Sequence, residues 1–246
     1  VKKTSIVCNF ICTKPNRLRI LKEQLKVMSH IFKDFDFYIN YNTEINAEEV
    51  HECFKKHIPN LYFQNDCTPD WGKITLDLVN MTNTHYVVYI LEDYVYDKNF
   101  DSIGIIIEYN DDRLSTVSLD ERKQDWKDVI NECHENNIDH VFLAKIKKYL
   151  PGEGFVNESH GYEEGNSIYK WHSSNAPTGV YSSSAIHNRL LFKDILSKYH
   201  IKHQLPSPGQ FEQHHEILRQ LNLNCAIPKK QICIQAHIDR SVNHTI

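Results

Sequence analysis

Apolar runs of strand length alternate, along the first part of the chain, with stretches whose apolar residues fall three and four positions apart. Thr4–Cys12 (TSIVCNFIC) predicts a buried first strand, and TKPNR follows as a loop in which Pro15 fixes φ and Asn16 can cap. Leu18, Leu21, Leu25 and Met28 then recur at helical spacing, which predicts a helix to about His30. Phe35–Tyr41 (FDFYINY) predicts a second strand closed by Asn42-Thr43-Glu44. Ala47–His57 reads as a helix ended by Pro59, and Leu61–Gln64 as a short third strand. Asp66–Gly72 (DCTPDWG) is a polar turn before a helix over Lys73–Met81, and Tyr86–Leu91 (YVVYIL) is a continuous apolar strand. Strands alternating with helices build an open sheet covered on both faces, and strands buried on both faces are uninterrupted apolar runs.

Beyond Asp97 the pattern is less regular. Phe100–Tyr109 is apolar and fits a helix or a strand, and Ser118–Asn136 reads as a charged, exposed helix. His140–Lys147 predicts a strand, Gly152–Asn175 a long loop, Gly179–Ile186 a strand and Asn188–Lys198 a helix. After Pro206-Ser207-Pro208-Gly209 a helix is expected from about Gln210 to Leu221, then a last strand at Ile232–Ala236. No linker divides the 246 residues, so one α/β domain is expected, with a nucleotide half over about 1–98 and an acceptor half over about 99–246.

Composition narrows the class. The formal net charge is −4, which argues against a nucleic-acid partner, since phosphate binding needs a basic face. No apolar run approaches the ~20 residues of a membrane span. The opening residues lead straight into a strand-like run, so no secretory signal is expected. Seven cysteines, an odd number without a regular framework, predict reduced thiols, and with them a cytoplasmic protein.

The strand YVVYIL delivers two adjacent acids, Glu92 and Asp93. Ligands of open α/β sheets bind outside the carboxyl ends of the strands, so these acids stand where a site is expected. Paired oxygen ligands there suit Mg²⁺ or Mn²⁺, which bridges readily to phosphates. The plainer alternative is a strand end whose acids meet water or cap the next element. Other metal readings fail. His215-Glu216 starts like a zinc-protease helix, but position 219 is Arg; Cys8 and Cys12 have no zinc spacing; and Gly152-x-Gly154 opens no dinucleotide fold.

In order along the chain, the first strand with TKPNR, the helix LRILKEQL, the strand FDFYINY, the turn DWGK and YVVYILEDY resemble the nucleotide-sugar glycosyltransferases of the GT-A fold. NAPTGVYSSSAIHNRLLF is similar to that fold's acceptor-side strand and helix, and PSPGQFEQHHE to the segment that brings a carboxylate beside the acceptor. Many members carry a third acid after the Glu-Asp pair, where this chain has Tyr94. The resemblance implies transfer of a sugar from a nucleoside-diphosphate donor, UDP preferred, to a hydroxyl of a glycan or other acceptor, with inversion. It implies Mn²⁺ or Mg²⁺ held by Asp93 and Glu92, Asp97 being an outside candidate, with His237 after the last strand near the metal or diphosphate. Thr13, Arg17, Asn42 and Lys73 are implied on the donor, and Glu212 is implied as general base, with Glu216 one turn on. A glutamate in the first turn of a helix is also favoured by the macrodipole alone. The competing functions are a nucleotidyltransferase, which usually carries a Gly-rich first loop that TKPNR lacks, and a catalytically silent binding module of the same fold.

Overall fold

The computed structural model describes residues 4–12, 15–92, 94–96, 117–143, 161–174, 184–201 and 221–235. The predicted alternation is present. It runs β1 (Thr4–Phe10), α1 (Pro15–Ile31), β2 (Asp36–Tyr41), α2 (Ala47–His57), β3 (Leu61–Gln64), α3 (Trp71–Met81) and β4 (Tyr86–Ile90). Helix α1 starts ahead of its apolar stripe because proline suits the first helical position, where its missing N–H goes unused. Asp70 caps α3 by accepting from the Lys73 N–H at 3.0 Å, so that helix opens at Trp71.

The remaining elements are β5 (Tyr94–Val95), α4 (Leu119–Asn136), β6 (His140–Phe142), β7 (Glu163–Glu164), β8 (Ile168–His172), β9 (Ala185–Asn188), α5 (Arg189–Ile195), β10 (Asn224–Pro228) and β11 (Ile234–Gln235), with a π-helical turn, Leu196–Ile201, continuing α5. Nine strands form one sheet in the order β3-β2-β1-β4-β9-β6-β10-β8-β7. Strands β3, β2, β1 and β4 are parallel, β9 runs antiparallel between β4 and β6, and β10 resumes parallel to β6. The two halves of the chain therefore share one mixed sheet. A second sheet pairs β5 with β11.

Alternation along the strands divides the core by face. Ile6, Cys8 and Phe10 of β1 and Tyr86, Val88 and Ile90 of β4 pack with Leu21 and Leu25 of α1 and Trp126 of α4. Val7, Val87 and Tyr89 face the opposite way, onto Trp71 and Leu78 of α3 and Phe192 of α5. All seven cysteines are free thiols, as expected.

Two expectations are corrected. Helix α4 is not a solvated rod, because it buries Trp126, Val129, Ile130 and Cys133 and also Arg122 and Glu132. Arg122 Nη1 donates to the Gln231 carbonyl at 2.7 Å, which satisfies a charge that periodicity places outside. The loop expected over Gly152–Asn175 contains the hairpin β7–β8. Of the strand expected over Gly179–Ile186, residues 179–183 lie outside the described residues, and Ala185 and Ile186 belong to β9, Ala185–Asn188. Strand β10 had no counterpart in the sequence reading. The segments expected at Phe100–Tyr109 and Gln210–Leu221 lie outside the described residues, Leu221 excepted.

The hairpin depends on α4. Glu132 accepts from the Asn166 N–H at 2.9 Å, the Ser167 N–H at 2.6 Å and the Ser167 hydroxyl at 2.5 Å. A Cβ on Gly165 would stand 1.8 Å from Glu132 Oε1. Gly165→Ala should therefore expel that carboxylate and cost about 2–4 kcal/mol of stability, the scale of losing charge-assisted hydrogen bonds in a buried setting. In the Glu132→Ala background the same substitution should add little. Additive losses in denaturant unfolding would refute the coupling.

Candidate active site

The carboxyl ends of β1, β2 and β4 lie side by side in the sheet, so the segments leaving them share one edge. Two linkages shape this edge.

The first joins the acidic turn after β4 to α1. Glu92 is buried, with 5% of its side chain exposed, and forms an ion pair with Arg17 in the first turn of α1. Two turns further along the same helix face, Gln24 Oε1 accepts from the Tyr96 N–H at 2.9 Å. From the other side, the Ser184 hydroxyl accepts from the Leu91 N–H at 2.9 Å. The turn is thus tied at Leu91, Glu92 and Tyr96. Burial raises the Cys8 thiol well above its usual range, and the Glu92 carboxylate adds to that shift. Burial also pushes the Tyr41 phenol up to about 12, with Glu92 among the smaller contributors.

The second linkage lashes the loop after β3 to the ends of β1 and β2. Asn9 and Asn40 are register partners on adjacent parallel strands, both buried on the face that carries α3. Asn40 Nδ2 donates to Asn9 Oδ1 at 2.9 Å and to the Asp66 carbonyl at 3.0 Å, and Asn40 Oδ1 accepts from the Asp66 N–H at 2.9 Å. Asn9 Nδ2 donates to Thr75 Oγ1 at 3.1 Å and to the Trp71 carbonyl at 3.3 Å. Asn42 Nδ2 donates to the Thr68 carbonyl at 3.2 Å. The Asp66 carboxylate accepts from the Thr68 N–H at 2.9 Å and from its hydroxyl, and these two bonds lower its pKa.

Of the residues implied on the donor, Arg17 and Glu92 are brought together. Asn42 and Lys73 both border the loop at 65–70. Lys73 is exposed, and its ammonium reaches Asp77 at 2.9 Å, a bond that raises its pKa. Thr13, Asp93, Glu212 and His237 lie outside the described residues. Among the described residues no group of three or more His, Cys, Asp or Glu side chains could hold a metal ion, and Glu92 meets a guanidinium. The described residues alone do not make a metal centre. Asn9, Asn40, Gln24 and Ser184 went unnoticed in the sequence. The signal for the first two was present, since each is the one amide of its strand and is flanked by apolar or aromatic residues near the carboxyl end.

The chain superposes on solved structures of S. aureus TarS. For TarS 1-349 the TM-score is 0.58 at 15% identity, covering 95% of this chain and 60% of that one. For TarS 1-349 in complex with UDP it is 0.55 at 13% identity, over 94% and 60%. With UDP-GlcNAc bound it is 0.52 at 12% identity, over 99% and 62%. The fold is of the GT-A type. This chain spans less than two thirds of those TarS chains. No protein-family model and no curated protein matches it. No helix among the described residues is long and apolar enough to cross a membrane.

Proposed function

We propose that this chain is a glycosyltransferase that takes its sugar from a nucleoside diphosphate, UDP preferred, and passes it to a hydroxyl of a glycan or other acceptor. The observation that carries this reading is the Arg17–Glu92 pair at the carboxyl edge of β1 and β4, in a fold shared with a protein solved with UDP and with UDP-GlcNAc. That edge is where open α/β sheets receive ligands. Arg17 meets the diphosphate, while Thr13, Asn42 and, from the first turn of α3, Lys73 serve the donor's approach.

The reaction is a single displacement with inversion. The acceptor oxygen bonds to the anomeric carbon as the bond from that carbon to the diphosphate breaks. The leaving diphosphate keeps the electron pair, and the hydroxyl proton passes to Glu212. When bound on Asp93 and His237, Mn²⁺ or Mg²⁺ would supply charge to offset the departing diphosphate. Seven free thiols fit a reducing compartment, so the proposed location is the cytoplasm.

Titration of UDP with and without Mn²⁺, followed by a screen of UDP-sugars for transfer or slow donor hydrolysis, tests the reading. Binding of UDP, strengthened by Mn²⁺, supports it. A preference for nucleoside triphosphates turns it toward nucleotidyl transfer, and no nucleotide binding leaves a silent module. For the proposed base, Glu212→Gln should lower turnover by about 10²-fold or more with donor affinity nearly unchanged. Full activity in the folded variant would move the base elsewhere.

A further inference from the structure

We propose that Glu92 is a positioning residue, holding the Arg17 guanidinium at the strand edge so that it receives the donor's diphosphate. The proposal rests on the nucleotide-sugar reading above and assigns this acid a purpose other than metal ligation. A carboxylate as buried as Glu92 is costly without a cation beside it, and Arg17 supplies that cation. The pair is lopsided. Glu92 is 5% exposed and Arg17 36%, so the acid is the buried member of the pair and the arginine the part solvent reaches.

A surface ion pair between two mobile side chains would specify little. This one is set in a turn fixed on both sides, by Ser184 at the Leu91 N–H and by Gln24 at the Tyr96 N–H. Because Gln24 and Arg17 share one helix, any shift of α1 against the turn strains both contacts. The guanidinium is a rigid fork of donors matched to paired phosphate oxygens, and fixing it in advance removes ordering cost from binding. If the pair served only to anchor α1, its loss would weaken stability and would weaken uridine and UDP binding alike. A positioning role predicts a loss confined to the diphosphate.

The test compares UDP and uridine affinity by calorimetry in EDTA, for wild type, Arg17→Ala, Glu92→Gln and the double variant. Arg17→Ala should reduce the ratio of UDP to uridine affinity by about 10-fold or more, the scale of charge-assisted hydrogen bonds. Glu92→Gln keeps the shape but not the charge, and should reduce the ratio by about 3- to 10-fold when Arg17 is present. With Arg17→Ala already made, it should change nothing. Equal losses in both backgrounds, or no loss with Arg17 present, overturn the proposal. So does a Mn²⁺-dependent gain in UDP affinity that disappears in Glu92→Gln while the EDTA ratio holds, since that marks a metal ligand. Should Glu92→Gln fold poorly, Arg17→Lys carries the test, because it keeps charge but loses the fork, and an unchanged ratio there also overturns the proposal. Wild type that binds UDP only when Mn²⁺ is present overturns the positioning proposal, and wild type that binds no UDP with or without Mn²⁺ overturns the nucleotide-sugar reading itself.

Discussion

Lowering the pH from 7 to 5 is expected to remove about 4 kcal/mol of folding stability through two histidines alone. His140 and His187 face each other across β6 and β9 as register partners, both fully buried, with their Nδ1 atoms 3.2 Å apart. His187 stacks on Phe192 with ring centroids 4.0 Å apart, and His140 meets the ring of Phe142 edge-on at 4.1 Å. Burial pushes His140 down to about 3. His187 is lowered well below its ordinary value by burial and by His140.

The sign follows from proton counting. Once unfolded, both imidazoles bind protons near the ordinary value of about 6.5, whereas the folded ones refuse them until far lower pH. Between those limits the unfolded state holds more protons, so stability is complete above about pH 6.5 and falls as pH drops, by about 1.4 kcal/mol per unit for each histidine. Asp139 works the other way in the carboxylate range, because burial raises its carboxyl. A fall of about 4 kcal/mol is a large part of the 5–15 kcal/mol of a typical domain. Urea unfolding at pH 7, 6 and 5 reads it directly, and the double variant His140→Leu, His187→Leu should flatten the profile. A wild-type stability that stays level over this range would contradict the buried, neutral pair.

Where local sequence and tertiary burial agreed, the fold was legible. Helix α2 and strand β3 fall where periodicity and Pro59 place them, and β4 reads as a strand because every residue of Tyr86–Ile90 is apolar or aromatic and buried. Elements stabilised from afar were not legible. The β7–β8 hairpin is held by Glu132 of α4, and β10 gains its pairing from β6 and β8 on either side. Helix α4 reads as solvated because nothing near Arg122 in the sequence announces the Gln231 carbonyl that receives it. The site behaves the same way. Arg17 and Glu92 could each be picked out from the loop or strand end that carries it, but their ion pair spans 75 positions and depends on the packing of α1 beside β4.

The Asn9–Asn40 linkage makes the sharpest claim about how sequence shapes this edge, and Asn40→Asp is expected to be more damaging than Asn40→Ala. The native amide faces two acceptors with its NH₂ group, Asn9 Oδ1 and the Asp66 carbonyl, and one donor with its oxygen, the Asp66 N–H. Alanine leaves these three groups short of a partner, at about 1–3 kcal/mol for each that water cannot reach. Aspartate keeps the shape and the bond to the Asp66 N–H, but turns a second oxygen toward two oxygens and buries a charge that no hydrogen bond from a cation among the described residues meets at this position. The loss for aspartate should therefore be larger than the loss for alanine in the same unfolding measurement, since the buried charge comes on top of two acceptors left facing oxygen. Both substitutions should also free the loop at 65–70, which sets the start of α3 and hence Lys73, so limited proteolysis should cut there first and UDP affinity should fall. Denaturant unfolding of the two variants decides the matter. An Asn40→Asp protein as stable as wild type would mean that the amide is not read as a donor, and that the loop is held by something other than the two asparagines.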